Sequence, residues 1–440
     1  MDLSSTGSIL VVGDVFVDYH ADLQRIRLGG IFHAARTLHA LNVPYSVAHT
    51  APDYLLENVE KFLHQLGARA YARIGAITGS PAVMVIKESR EIGNQGYDEI
   101  LRDASRTVWT PDVLTQLLSD EQPTDALVFP GHFPLSEAME ILATAGVRIH
   151  IDTQYETDLP DTIKRHGRPI STLFCSTSSP LFQREVGADP TRLRTLLDAD
   201  CSDAVVLKEN RGGSRVFLGD ANAPIHAPSF PTKTAHSVGV GDCFDCTWIA
   251  ARDSSPDHRL TRAAYYASLY ASTWDHARFV EDIRAAEAMG SAVTTLQGIR
   301  LPWEMRKDIH IYIAAPDFPR INVSVLDELE SALNYHNFTP HRPVREHGIC
   351  TPSTPPADAA SMYCRDVDLL DRCKVLIAVP LVTDPGTFVE MGFAAAKCKP
   401  VILFEATSKV ENLFAETTAT RTCRALAEVI DSLFEIVSVK

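Results

Sequence analysis

Short, continuous apolar runs recur along the chain: SILVVGDVF, PAVMVIKE, DALVFPG, VRIHIDT, STLFCST, DAVVLKE, IHIYIAA, KVLIAVP and PVILF. They are rich in Val and Ile, and between them apolar residues return every three or four positions. Runs without polar alternation predict strands covered on both faces, and the helical period between them predicts crossover helices, so the pattern describes a parallel α/β fold. No short-period repeat or low-complexity tract interrupts the series. Near residues 298–308, GIRLPWEMRKD, helical segments over 260–290 give way to a fresh strand from Ile309 to Ala314. A second β-α series begins there. Two domains are expected, 1–300 and 308–440, which fits a chain of 440 residues at roughly 150 residues per domain. The segment 348–361, GICTPSTPPADAAS, carries three prolines and is expected to be a mobile loop over a site.

Composition acts mainly by exclusion. Apolar residues are 45% and charged residues 22%, as in ordinary globular proteins, and no apolar run approaches the roughly 18 residues of a membrane span. The opening MDLSSTGSILVVGD has no basic stretch before its short apolar run and is read as a first strand, not a leader. A net charge of −15 argues against a nucleic-acid duplex as partner but leaves small phosphorylated ligands open. The nine cysteines are scattered. Cys243 and Cys246 make the only C-x-x-C, with no second pair at zinc spacing, so no cysteine-held metal is expected and the thiols are read as buried ones in a reducing cytoplasm. Asn322-Val323-Ser324 is a formal glycosylation sequon, without meaning in that compartment.

Candidate chemistry in the N-terminal part begins with VVGDVFVDYH, where Asp14 and Asp18 could accept hydrogen bonds from sugar hydroxyls. RLGGIFHAARTLHALN follows, with Gly29 and Gly30 allowing close backbone approach and His33 beside them. KENRGGSRVF adds a glycine turn, and HSVGVGDCFDCTW a second one. Gly239, Val240 and Gly241 in that second turn would open a helix whose N–H groups favour a phosphate. Alone, G-V-G-D could be no more than a helix cap. The four stretches in this order resemble the ribokinase, or PfkB, carbohydrate and nucleoside kinases. The resemblance implies a ribokinase-like α/β domain using ATP and Mg, with Asp18 on the sugar and Asp242 as general base. Four positions depart from it. His33 stands where the family has asparagine, His236 replaces the first aspartate of the signature, and Ser178 and Leu181 occupy the places of the N-x-x-E motif tied to magnesium. The resemblance therefore leaves two outcomes, a kinase of shifted substrate or a domain that binds without turnover.

Residues 309–440 hold IHIYIAAPDF and then RDVDLLDRCKVLIAVPLVTDPGTFVEMGFAAAKCKPVILF. Read locally, Thr387 to Glu390 forms a capping box with Thr387 as N-cap. Likewise Asp384-Pro385-Gly386 reads as a turn and Asp366 as a helix-start acid. As one ordered pattern, however, the segment resembles nucleoside 2-deoxyribosyltransferases and related nucleotide N-glycosidases. That implies a smaller flavodoxin- or Rossmann-like parallel-sheet domain. It also implies Glu390 as nucleophile, Tyr312 positioning it, Asp384 with Gly386 and Thr387 at the sugar, and Asp366 as acid at the leaving base. Carboxylates suit this reaction, because one can trap an oxocarbenium-like centre covalently while another protonates the departing base. Ala315 stands where glycine is usual. KVENLFAETT resembles a segment whose asparagine, here Asn412, reaches a neighbouring subunit's site, implying a homo-oligomer of at least two copies; read locally it is a surface turn. His341, Arg342 and Arg345 are available for a 5′-phosphate. No cofactor is expected for this half.

These readings converge on a small-molecule nucleoside or nucleotide enzyme that exchanges or removes a nucleobase. The alternatives are an N-glycosidase acting on a nucleotide such as NAD, or a glycosidase gated by a degenerate kinase-like ligand sensor.

Overall fold

The computed structural model describes residues 7–438 apart from 154–158, 188, 198–201, 220–222, 383 and 408. It divides into two compact units, Met1–Glu91 with Gln95–Arg300, and Ile92–Asn94 with Leu301–Lys440. The inclusion of Ile92–Asn94 in the second unit has no counterpart in the sequence pattern.

The first unit is built on one large sheet. From edge to edge its main path runs through Ile225–Ala227, Ser214–Leu218, Ser202–Lys208, Ile170–Ser176, Arg148–Asp152, Asp125–Val128, Ile9–His20, Tyr45–Ala51, Tyr71–Thr78 and Arg106–Trp109. The six inner pairings from Ser202–Lys208 to Tyr71–Thr78 are all parallel and need burial on both faces, which their largely apolar strands supply. The first strand is the exception in length. Ile9–Asp14 pairs within the main sheet, while Val15–His20 leaves it to pair antiparallel with Arg25–Gly30 and parallel with Val83–Ile86. PAVMVIKE is thus not a core strand. It lies in this accessory layer, half-buried at alternate residues, with Tyr97–Glu99 as its antiparallel neighbour. Asp14 falls at the junction of the two layers and Asp18 within the second.

The second unit has five parallel strands, in the order Thr339–His341, His310–Ala314, Val375–Ala378, Val401–Phe404, Arg421–Cys423. Counted from the unit's own start this is 2-1-3-4-5, the flavodoxin-like order. Such a sheet opens a crevice beyond the carboxyl ends of strands 1 and 3, where the winding reverses. Tyr312 is on strand 1, and the chain leaving strand 3 enters the helix Pro385–Ala396, which carries Glu390. The expected mobile loop is shorter than 348–361. Pro355 is an N-cap and Pro356 the first residue of the helix Pro356–Arg372, so the prolines start a helix where they cost no hydrogen bond. Among the described residues no helix is long and apolar enough to cross a membrane.

Candidate active site and companion cleft

The C-terminal crevice gathers four of the residues singled out above. The Tyr312 hydroxyl donates to Glu390 Oε1 at 2.7 Å. Tyr312 is buried in the middle of the core strand His310–Ala314 and belongs to the same apolar cluster as Leu369, Leu376 and Met391. Burial pushes Glu390 from 4.5 up to about 7; the Tyr312 bond pulls it down, and the nearby charges of Asp366 and Asp384 raise it further. Burial and the Glu390 charge in turn hold the Tyr312 hydroxyl well above its usual range, so it stays a donor.

The capping-box alternative does not hold. Asp384, not Thr387, is the N-cap, with Pro385 at the first helical position. Asp384 Oδ2 accepts from the Thr387 amide at 2.9 Å and from its hydroxyl at 2.8 Å. Glu390 therefore sits in the second turn, with no cap to serve, and turns to Tyr312. Gly386 lies within the first turn, where a Cβ would approach Asp384 Oδ2 to 3.2 Å. Asp366 is not a helix-start acid either: it lies past the middle of Pro356–Arg372, and its Oδ1 meets His347 Nδ1 at 2.5 Å. His347 had no signal in the sequence, because nothing periodic ties residue 347 to residue 366.

The cations considered for a phosphate are engaged elsewhere. Arg342 is buried and paired with Asp317 at 2.7 Å, Asp327 at 2.5 Å and Glu330 at 3.0 Å. Arg345 meets the last two at 2.5 and 3.2 Å, and His341 meets Glu346 at 2.9 Å. Four acids on the neighbouring turns consume their charge. Asn412 caps the helix Leu413–Thr418, its Oδ1 accepting from the amides of Phe414 and Ala415. Next to it Leu413 and Phe414 are 80% and 84% exposed, and Val389, beside Glu390, is 70% exposed.

In the N-terminal unit the glycines are filled rather than open. A Cβ on Gly29 would lie 2.0 Å from Asp18 Oδ2, and one on Gly239 would lie 2.3 Å from the His33 ring, at a φ of +80° that other residues rarely adopt. Gly239 caps the helix Val240–Ala250, and Gly30 caps Ile31–Ala40. His33 Nε2 contacts Asp18 Oδ2 at 3.0 Å, and its Nδ1 faces the Tyr270 hydroxyl at 2.9 Å. Burial, then the charges of Arg27 and Arg36, hold His33 well below its ordinary value. A neutral ring that donates to Asp18 accepts from Tyr270. Burial raises Asp18 to about 6, and burial with the Asp152 charge raises Asp242 to about 7. Gly241 borders Lys208: a Cβ there would lie 3.1 Å from Nζ.

Two ionic clusters were invisible in the sequence. Lys208 Nζ lies 3.0 Å from Asp152 Oδ2 and 3.0 Å from both oxygens of Asp245, all in the interior. Asp14 accepts from the Thr50 hydroxyl and from the His132 amide, and its Oδ2 meets His132 Nδ1 at 2.7 Å; His132 Nε2 lies 3.0 Å from Glu99. Burial disfavours the His132 imidazolium, but the two carboxylates outweigh it and push the ring up to about 10. Of the departures from the kinase pattern, Leu181 is buried and Ser178 bonds Ser176 at 2.7 Å. Both nitrogens of His236 face backbone carbonyls, of Val238 and Thr273. Among the described residues no group of three or more His, Cys, Asp or Glu is placed to hold a metal ion.

The second unit thus combines a parallel sheet ordered 2-1-3-4-5 with a Tyr312–Glu390 pair near Asp366 and Asp384. Residues 311–421 match the family model described as nucleoside 2-deoxyribosyltransferase, so the second unit carries a domain of that family. The first unit has a ribokinase-like fold. It superposes on adenosine kinase from Sinorhizobium meliloti with a TM-score of 0.50 and 13% identity, over 64% of this chain and 100% of that one. Phosphofructokinase-2 from Escherichia coli aligns at 14% identity and a TM-score of 0.47, over 64% and 100% of the two chains. No curated protein sequence matches the chain.

Proposed function

We propose that the C-terminal unit cleaves or exchanges the N-glycosidic bond of a deoxynucleoside or nucleotide through a covalent glycosyl-Glu390 intermediate. The Tyr312–Glu390 hydrogen bond carries the reading, because it aims a carboxylate without a capping role into the crevice of the sheet. Glu390 as carboxylate attacks the anomeric carbon, a C–O bond forms, and the C–N bond to the base breaks. The departing base takes a proton from the Asp366–His347 pair, in contact at 2.5 Å. A second base then attacks the anomeric carbon in exchange, or water does so in hydrolysis; its proton returns to the Asp366–His347 pair, the C–O bond to Glu390 breaks, and Glu390 leaves as carboxylate. Asp384 orients the sugar, held rigid by Thr387.

For the N-terminal unit the reading is ligand binding without phosphoryl transfer. Support comes from Leu181, an apolar residue where the kinase pattern implies a metal-linked acid, and from the closed contacts of His33 with Asp18 and Tyr270. ATP consumption that depends on a sugar or nucleoside, and is lost in Asp242→Asn, would overturn it.

The working unit is read as a homo-oligomer whose interface includes Val389, Leu413 and Phe414, since large exposed apolar residues beside a site mark a contact surface. Phe414→Glu should lower the mass seen by light scattering and reduce turnover together; an unchanged mass removes this face from the interface.

The deciding experiment is chromatography of the protein incubated with nucleosides, deoxynucleosides, their monophosphates and NAD, with and without a second free base, beside Glu390→Ala. Product that requires the acceptor and vanishes in the variant establishes exchange. Base release without acceptor, also lost, establishes hydrolysis. No Glu390-dependent product with any substrate overturns the catalytic reading.

A further inference from the structure

We propose that the N-terminal unit holds an anion site made by Arg27 and Arg36, and that its ligand is a phosphorylated sugar. This deepens the binding reading of that unit and is independent of the bond the C-terminal unit breaks.

Arg27 lies on the accessory strand Arg25–Gly30 and Arg36 on the helix that follows it. The two guanidinium groups converge on one point, the Tyr270 hydroxyl. Every other partner they have is neutral. Arg27 Nη2 donates to Val238 O at 3.1 Å and reaches His33 Nδ1 at 3.1 Å, and Arg36 Nη2 donates to Leu28 O at 2.8 Å. Among the described residues, neither arginine makes an ion pair, although other buried cations of this unit, such as Lys208 and Arg215, do. Arg27 Nε and Arg36 Nη1 are shielded from water and meet no acceptor. The charge of Asp18 reaches both and that of Asp242 reaches Arg27, and Asp18 Oδ2 is taken by His33. The surrounding His20, His33 and His236 add no negative charge.

Two half-buried like charges brought together, with donors unspent, repel each other and lack a paired counter-charge. An anionic ligand supplies it. The planar fork of arginine matches a phosphate in a bidentate manner, and two forks give the denser set of donors a phosphate monoester accepts. The Val238 carbonyl that Arg27 holds stands two residues before the helix Val240–Ala250, whose first-turn N–H groups have no acceptor inside the helix. Asp18, close to both arginines, is an acceptor for ring hydroxyls. A neutral sugar would use Asp18 and leave the guanidinium groups unpaired; a sugar phosphate answers both.

Trp274 offers a local reporter, since the Arg27 guanidinium lies 4.8 Å and that of Arg25 4.6 Å from its ring. The full chain, in a phosphate-free buffer of low ionic strength, is titrated with 2-deoxyribose 5-phosphate, inorganic phosphate and 2-deoxyribose, following tryptophan emission and heat. Expected are saturable binding of the sugar phosphate, weaker binding of phosphate and none of the free sugar. Arg27→Met and Arg36→Met should each weaken the sugar phosphate by at least about tenfold, the loss of one charged hydrogen-bonding partner. Trp274→Phe should abolish the emission change while the heat of binding persists. The proposal falls if the sugar phosphate does not bind, if both arginine variants bind as before, or if the free sugar binds equally well. Should the arginine variants fail to fold, Trp274→Phe decides alone: an emission change that survives it places the ligand elsewhere. ATP consumption by the same preparation would instead overturn the binding reading, leaving the anion site standing.

Discussion

Glu390→Gln will lower base release or exchange by about a thousandfold or more, the scale of removing a covalent nucleophile, while leaving the fold intact. The glutamine keeps the volume and can still accept from Tyr312, so the loss reports on the carboxylate alone. The pH dependence follows from the same group. Attack requires the ionised form, and burial holds Glu390 near about 7, so the single-turnover rate should rise with pH through that value. Tyr312→Phe removes a bond that favours the carboxylate, and the midpoint should then move to higher pH. Stability moves the opposite way. A carboxyl raised from 4.5 to about 7 on folding binds its proton more tightly in the folded chain, so its contribution is full below pH 4.5 and fades as pH rises through 7. Rapid quench across pH 5 to 9 checks the rate. A flat profile, or a Gln variant with most of its activity, would remove Glu390 from the reaction.

Lys208→Met should be the most damaging single change to the N-terminal unit, costing about 3–5 kcal/mol, the range for breaking a buried ion pair from one side. Its ammonium is the one cation between Asp152 and Asp245, whose side chains are 2% and 0% exposed. Removal leaves two carboxylates facing each other in the interior, and protonation of Asp245, already raised by burial, offsets part of that. The companion Lys208→Met/Asp245→Leu should recover most of the loss, because a neutral, well-filled site needs no counter-charge. Chemical denaturation followed through the N-terminal transition measures both. A single variant within about 1 kcal/mol of the parent would mean that the cluster is solvated, since exposed pairs are worth no more than that.

Three things were decided by the sequence alone. The strands came from Val- and Ile-rich runs, since a strand covered on both faces has to be apolar throughout. The α/β class of both units followed from the helical period between those runs. Glu390, Tyr312, Asp366 and Asp384 were singled out as candidates by the resemblance of two ordered stretches, IHIYIAAPDF and the segment from Arg365 to Phe404. Local chemistry, by contrast, misassigned the cap: Thr387 and Asp384 are equally good capping residues by type, and only the path of the backbone out of Val375–Ala378 selected Asp384. PAVMVIKE looked like a core strand because apolar content does not say which sheet a strand joins. His347 on Asp366, Lys208 between Asp152 and Asp245, and His132 between Asp14 and Glu99 join residues 19 to 118 positions apart. The same holds for the closing of the kinase-like cleft by His33 and for the unpaired charges of Arg27 and Arg36. A side chain's type and period reveal which face it occupies; what it meets there depends on strand order and on which helix returns over it, and these exist only in the folded chain.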